Sequence, residues 1–268
     1  MTLGLPHGAV LGLKTLLYGR RGEPFAVGDQ VLRYAPGTRP VRERYQTSPN
    51  DAVRYDALQV RLFREGLGEG DTAIDVGAHA GQYALIMAAM CGSSGHVAAF
   101  EPDPYARRLL HRNIALNPRI KAPTVEALAV SDAPGEAVLY SRGGNSQSSL
   151  ARSGVGDAGI GAETIKVPVV TLDGYLDERG LPEPRWIKID TEGAEISILK
   201  GAPKLLAGRA NIVCELHPYA WAEFGDSFEA LQGLTAACGR RIRYLDQATE
   251  VGADVRYGTV LLERPTGR

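Results

Sequence analysis

Residues 73–85 read AIDVGAHAGQYAL. Ala73 to Val76 suit a buried strand, Gly77 and Gly81 bracket a tight turn, and the residues after Gly81 suit an apolar helix. A strand that turns straight into a helix brings backbone N–H groups up against a bound ligand, and glycines let that backbone come close. A dinucleotide-binding turn has the form GxGxxG, its second glycine making room for a pyrophosphate. Here that position is His79. Asp75 also disfavours a phosphate, because two negative groups at short range repel. The turn suits a ligand with a cationic or hydroxyl-bearing end.

Outward from this stretch the chain alternates between strand and helix. HVAAFE (96–101) reads as a strand; Asp103 then caps a helix with Pro104 at its first position. TVEALAV (124–130) reads as a third strand, IKVPVVTL (165–172) and RWIKID (185–190) as two more, and AEISILKGAPKLL (194–206) as a helix. NIVCELH (211–217), the helix FEALQGLTAACG (228–239) and an antiparallel pair, RRIRYLD (240–246) and VRYGTVLLE (255–263), close the chain. Such alternation predicts a mostly parallel, doubly wound α/β sheet covered on both faces, with its ligand beyond the carboxyl ends of the strands. Before residue 71 lies an accessory region: FAVGDQVLRY (25–34) reads as a hairpin turning at Gly28-Asp29. NDAVRYDALQVRLFREGL (50–67) reads as a helix capped by Asn50, with Val53, Ala57 or Leu58, and Leu62 inward. Residues 141–161 are rich in Gly and Ser and read as a long loop of the kind that serves as a lid.

At 268 residues, 44% hydrophobic and 23% charged, the chain suits one large α/β domain with additions. A net charge of -1 supplies no long-range attraction to nucleic acid or anionic membrane, and Arg107, Arg108, His111 and Arg112 read as a solvated helix face. Cys91, Cys214 and Cys238 are widely spaced and form no metal or disulfide pattern, which fits a reducing cytoplasm. The apolar run LGLPHGAVLGLKTLLYG (3–19) is broken by Pro6, His7 and Lys14, so neither a signal peptide nor a membrane span is expected. It reads as a helix packed on the domain or on the second copy of a homodimer.

Glu101 ends the second strand twenty residues after Gly81, where an acidic side chain accepts hydrogen bonds from both hydroxyls of a ribose. A ribose diol, an amino group and no pyrophosphate together describe S-adenosylmethionine. Further on, Asp190 ends a buried strand that a doubly wound sheet places beside the Asp75 strand. Glu192 and Glu195 behind it read as carboxylates at a helix N-terminus. Glu215 and His217 share one face of the next strand, which Pro218 ends, and His217 reads as a catalytic or substrate-binding group.

DVGAHAG, FEPDP, AVSD, TLDGYL, IKIDTEGAE and CELHP, in that order, resemble the FkbM family of S-adenosylmethionine-dependent methyltransferases. The resemblance covers roughly residues 71–218, with KIDTEGAE its most specific element. It implies a class I methyltransferase (Rossmann-like) fold over 71–268, a seven-stranded sheet whose last strand is antiparallel, behind the accessory region 1–70. It also implies methylation of a hydroxyl on a small-molecule acceptor: a sugar, glycolipid or polyketide-type natural product. Asp75, Gly77, Ala78, His79 and Gly81 would then frame the methionine half of the cofactor, Glu101 and Pro102 the ribose, and Asp132 the adenine. Asn145, Ser148 and Ser149 would close over cofactor or acceptor, while Asp173 caps the helix it opens.

Removing the proton of an alcohol calls for a general base. His217 is the first candidate, with Glu215 or Asp190 orienting it or binding the acceptor. This metal-free reading takes precedence over Mg²⁺ held by Asp190 and Glu215. The competing readings are an NAD(P)-dependent oxidoreductase, which wants glycine in place of His79, and a methyltransferase-like binding protein without catalysis.

Overall fold

The structure is a computed structural model that describes residues 7–36, 38, 51–141, 143, 148–152, 161–246 and 250–264. Asn50 and Asn145 lie outside them, as does the side chain of Val53.

Helix α1 (His7–Tyr18) leads into the hairpin of β1 (Glu23–Val27) and β2 (Gln30–Tyr34), which turns at Gly28-Asp29 as expected. Helix α2 (Asp51–Gly66) turns Phe63 and Val60 inward. The alternating part follows: β3 (Thr72–Val76), α3 (Gln82–Cys91), β4 (His96–Phe100), α4 (Pro104–Ala115) and β5 (Thr124–Glu126). As predicted, Asp103 caps α4, accepting from the Tyr105 and Ala106 amides with Pro104 in the first turn.

The run read as one strand, TVEALAV, is in fact two strands in two sheets. β5 closes the edge of the main sheet, and β6 (Ala129–Val130) leaves it to pair with β8 (Glu163–Val170). β7 (Gly135–Ser141), which the sequence reading missed, pairs antiparallel to β8 and completes a three-stranded sheet. Only Leu139 and Ser141 of β7 are buried, so its pattern carries little alternation.

Then come α5 (Leu172–Arg179), β9 (Trp186–Ile189), α6 (Glu195–Lys200), α7 (Pro203–Ala207), β10 (Asn211–Leu216), α8 (Phe228–Ala237), β11 (Arg241–Tyr244) and β12 (Gly258–Glu263). The predicted helix AEISILKGAPKLL breaks into α6 and α7, because Pro203 has no N–H to continue the ladder and is tolerated only in a first turn. Asp173 does not cap its own helix. Thr171 does that, and the Asp173 carboxylate accepts the amides of Lys204 and Leu205 in the first turn of α7.

The main sheet runs β11-β12-β10-β9-β3-β4-β5, parallel throughout except β12, which is antiparallel to both neighbours. This is the predicted class I methyltransferase topology. One face packs on α2, α3 and α4 through Phe63, Leu85 and Leu110, the other on α5 to α8 through Ile196, Leu206 and Leu231. After β3 the chain winds outward to β4 and β5, then returns to β3's other side as β9. The winding therefore reverses between β3 and β9, where such sheets open a ligand crevice. Among the described residues, no helix is long and apolar enough to cross a membrane.

Candidate active site

Register fixes the crevice. Asp75 stands opposite Lys188 and Val76 opposite Ile189, so Asp75 and Asp190 come from adjacent strand ends. Gly77 takes φ 79°, and a Cβ on it would lie 1.7 Å from the Asp190 carbonyl oxygen, so only glycine fits. Gly77 and Ala78 both donate to the Phe100 carbonyl. His79 also adopts a left-handed backbone, φ 47°, the conformation that a glycine would take more readily.

That turn aims the His79 amide at Glu101, whose Oε2 accepts it at 2.7 Å, while Oε1 accepts the Asp103 amide at 2.8 Å. Each carboxylate oxygen keeps a lone pair for a further donor. The carbonyls of Glu101 and Pro102 hold the Arg107 guanidinium. Glu101 is buried, which pushes its pKa up to about 7 against the amides that favour its charged form. The Asp75 carboxyl is buried as well, with the Ala84 amide pulling on it and neither oxygen in a hydrogen bond of ordinary geometry. Burial lifts its pKa to about 6 against the pull of the Lys188 ammonium, 3.9 Å away. A buried carboxyl so poorly supplied with donors is costly, and it marks a place where a ligand's donor fits.

Lys188 is buried too, bound to Asp190 Oδ2 at 3.0 Å and lying over the Tyr83 ring. Burial opposes its charge, but Asp190, Asp75 and Glu215 more than offset this and raise its pKa. Burial likewise favours a neutral Asp190, yet Lys188 and His217 keep that carboxyl below its ordinary value.

His217 follows β10 at the mouth of the crevice, 1% exposed. Its Nδ1 is 2.9 Å from Glu195 Oε1, and its Nε2 faces Glu192 Oε2 at 3.5 Å and Asp190 Oδ1 at 4.0 Å. Glu195 is wholly buried and fixed by two further donors, the Trp221 indole and the Gly193 amide. Burial would lower the imidazole pKa, but Glu195, Glu192 and Asp190 outweigh it and hold it at about 10. Glu192 sits at φ 55° and receives the Tyr219 hydroxyl, and burial lifts it to about 7.

The structure thus brings together Asp75, Gly77, Ala78, His79, Gly81, Glu101 and Pro102 on one side of the crevice and Asp190, Glu215 and His217 on the other. It corrects the expected partners of His217, since Glu195 orients the ring. Glu215 is instead bound by the Tyr257 hydroxyl, with burial raising it to about 7. Asp132 is exposed, bonds Ser131 and packs against Gly201 at the C-terminal end of α6, the end away from His217. Ser148 reaches the crevice rim by donating to Asp103, beside Ser141, and Ser149 donates to the Glu192 carbonyl. Sequence reasoning missed Lys188 and Glu195. For Lys188 the signal was there, a lysine inside an apolar strand; for Glu195, at a helix start, the sequence carried none.

A family model described as the methyltransferase FkbM domain matches residues 75–242. The hexuronic acid methyltransferase AglP of Haloferax volcanii is 29% identical over 166 residues, 62% of this chain and 64% of that protein. Among solved structures, a methyltransferase FkbM from Methylobacillus flagellatus aligns with TM-score 0.45 at 15% identity, covering 82% of this chain and 56% of its own. A SAM-dependent O-methyltransferase from Thermotoga maritima aligns with TM-score 0.43 at 11% identity, covering 92% of this chain and 87% of its own. This chain therefore spans less than two thirds of the length of the first two relatives.

Proposed function

The chain belongs to the methyltransferase FkbM family, and from that premise we propose that it methylates a hydroxyl of a sugar, or of a sugar-bearing lipid or natural product, using S-adenosylmethionine. The observation that carries the cofactor assignment is the pair of buried carboxyls at neighbouring strand ends. Asp75 is poorly supplied with donors and suits an ammonium group, and Glu101 has lone pairs to spare for a ribose diol. Gly77 and Gly81 leave the two ends of that turn without side chains, with Ala78, His79 and Ala80 between them. The activity printed for the Haloferax volcanii relative supports a sugar as acceptor.

When bound, the cofactor supplies a methyl group made electrophilic by its sulfonium. The protein's own contribution is placement. Asp75 and Glu101 hold the nucleoside at the β3 and β4 ends, and the Asp190, Glu192 and His217 group faces the same opening from the β9 and β10 ends. An acceptor hydroxyl oriented there meets the Asp190 and Glu192 carboxyls, able to draw on its proton, while His217, expected as the base, is kept protonated by Glu195, Glu192 and Asp190 and serves to orient and bind. Such alignment removes several kcal/mol of barrier, roughly 7–11 at the limit. Tyr219 and Tyr257, each about half exposed, line the approach and offer rings to an apolar sugar face.

The test is calorimetric titration with S-adenosylhomocysteine and with NAD, followed by transfer of labelled methyl to oligosaccharides containing a hexuronic acid. Binding of the homocysteine nucleoside and not NAD, with an alkali-stable label, is expected. NAD binding alone would overturn the cofactor assignment. An alkali-labile label would mean a carboxyl ester rather than a hydroxyl ether.

A further inference from the structure

The geometry points to a divalent-cation site formed by Asp190, Glu192 and His217, one that takes a first-row ion such as Mn²⁺ and presents it to the acceptor's oxygens; this rests on the methyltransferase reading of the same crevice. One donor atom from each of the three residues lies within 4.8 Å of the other two. Donors sharing an ion at about 2.1 Å stand roughly 3–4 Å apart, so a small inward shift of side chains closes the set.

The three side chains share a pattern. Each is anchored, and each keeps an atom turned toward the common point. His217 is held through Nδ1 by Glu195, leaving Nε2 with no hydrogen bond. Asp190 is held through Oδ2 by Lys188, leaving Oδ1 toward the ring. Glu192 turns Oε2 toward His217 Nε2, the same atom that accepts the Tyr219 hydroxyl, and its unusual backbone is pinned by Ser149. A buried carboxylate on the far nitrogen of a ligating histidine is the outer-shell arrangement that fixes ring orientation at metal centres. Glu195, wholly buried with three donors of its own, supplies that here.

Charge points the same way. Asp75, Asp190, Glu192, Glu195 and Glu215 crowd the mouth, where Lys188 and His217 are the main positive groups acting on Asp190. One imidazole with two carboxylates suits Mn²⁺, Fe²⁺ or Zn²⁺ better than Mg²⁺, which prefers oxygen ligands and its own waters. This set differs from the expected Mg²⁺ on Asp190 and Glu215 in both ion and ligands, since the donor atoms that converge among the described residues are those of Asp190, Glu192 and His217. An ion at this point binds neighbouring oxygens of a sugar and makes a bound hydroxyl more acidic.

The experiment titrates Mn²⁺ into chelator-stripped protein, read by calorimetry and by electron paramagnetic resonance, with S-adenosylhomocysteine titrated in parallel. Saturable binding of about one ion per chain is expected, weakened at least tenfold in Glu192→Gln and His217→Gln, and by roughly 10–100-fold in Glu195→Gln, which acts through the ring. Glu192→Gln carries most weight, because it changes a partly exposed turn and not the core, and retained S-adenosylhomocysteine binding certifies the fold of each variant. No saturable Mn²⁺ binding, or binding unchanged in all three variants, overturns the site. Nucleoside binding without Mn²⁺ binding sinks the cation site and leaves the methyltransferase reading intact; Mn²⁺ binding without the nucleoside does the reverse.

Discussion

Asp75 shows how a single side chain trades stability for a ligand. Its carboxyl is buried with little hydrogen bonding, and burial lifts its pKa to about 6 against Lys188 and the Ala84 amide. A carboxyl raised in the folded state costs nothing below its unfolded pKa and its full penalty above its folded one. Asp75→Asn removes that penalty, so without ligand the variant should be more stable than the parent by roughly 2–3 kcal/mol at pH 8, since one pKa unit is worth about 1.4 kcal/mol. The gain should vanish near pH 4. The same variant should bind S-adenosylhomocysteine more weakly, because the amide carries no charge for an ammonium group. Urea unfolding at the two pH values measures the first effect and calorimetry the second. A variant less stable than the parent at pH 8 would mean that the Lys188 contact outweighs burial. Glu101→Ala should also cost nucleoside affinity, while His217→Ala largely spares it; equal loss in both would end the division of the crevice into cofactor and acceptor sides.

At the scale of elements, junctions carry the site. Gly77→Ala forces a Cβ into the Asp190 carbonyl, so the β3 and β9 ends must part. A loss of about 3 kcal/mol or more is expected, with nucleoside binding abolished even where the protein still folds. Asp103 joins three elements: it caps α4 through Oδ1 and receives Ser141 and Ser148 through Oδ2. Asp103→Ala should therefore cost more than the ~0.5–2 kcal/mol of a lost cap alone, measured against Ser148→Ala, which removes one tether and keeps the cap. Such junctions also divide what the sequence made legible from what it hid. β3, α3, β4, α4, β9 and β10 were readable because apolar runs, glycines and caps coincide in them. β7 was not, because its outer positions are exposed and its inner ones include Ser141. The β5–β6 division was hidden inside one apolar run, since leaving a sheet edge needs no special residue. The residues at strand ends were singled out because doubly wound sheets put ligands there. Glu195 was misread because a carboxylate at a helix start has an ordinary electrostatic use, and only the fold brings it to His217.

For the molecule as a whole, Asp75 and Glu101 on the proposed cofactor side of the crevice are held partly neutral, and a cationic or hydroxyl-rich ligand there would draw both into their charged forms. Asp75 rests at about 6 and Glu101 at about 7, both raised chiefly by burial. An ammonium beside the first and hydroxyl donors on the second favour the charged forms, so binding must lower both pKa values and release protons. The sign follows from linkage: affinity for S-adenosylhomocysteine should rise as pH goes from about 5.5 to 8 and then level off, once both carboxyls are already charged in the free protein. Titrations at pH 6.5 in buffers of different ionisation enthalpy should reveal proton release, which should fall in Glu101→Gln. The thermal stabilisation given by a fixed excess of nucleoside should grow over the same range, because ligand stabilisation scales with RT ln(1 + [L]/Kd), about 2.7 kcal/mol at a hundredfold excess. Proton uptake on binding, or affinity that falls between pH 6 and 8, would show that the ligand does not meet these two carboxyls.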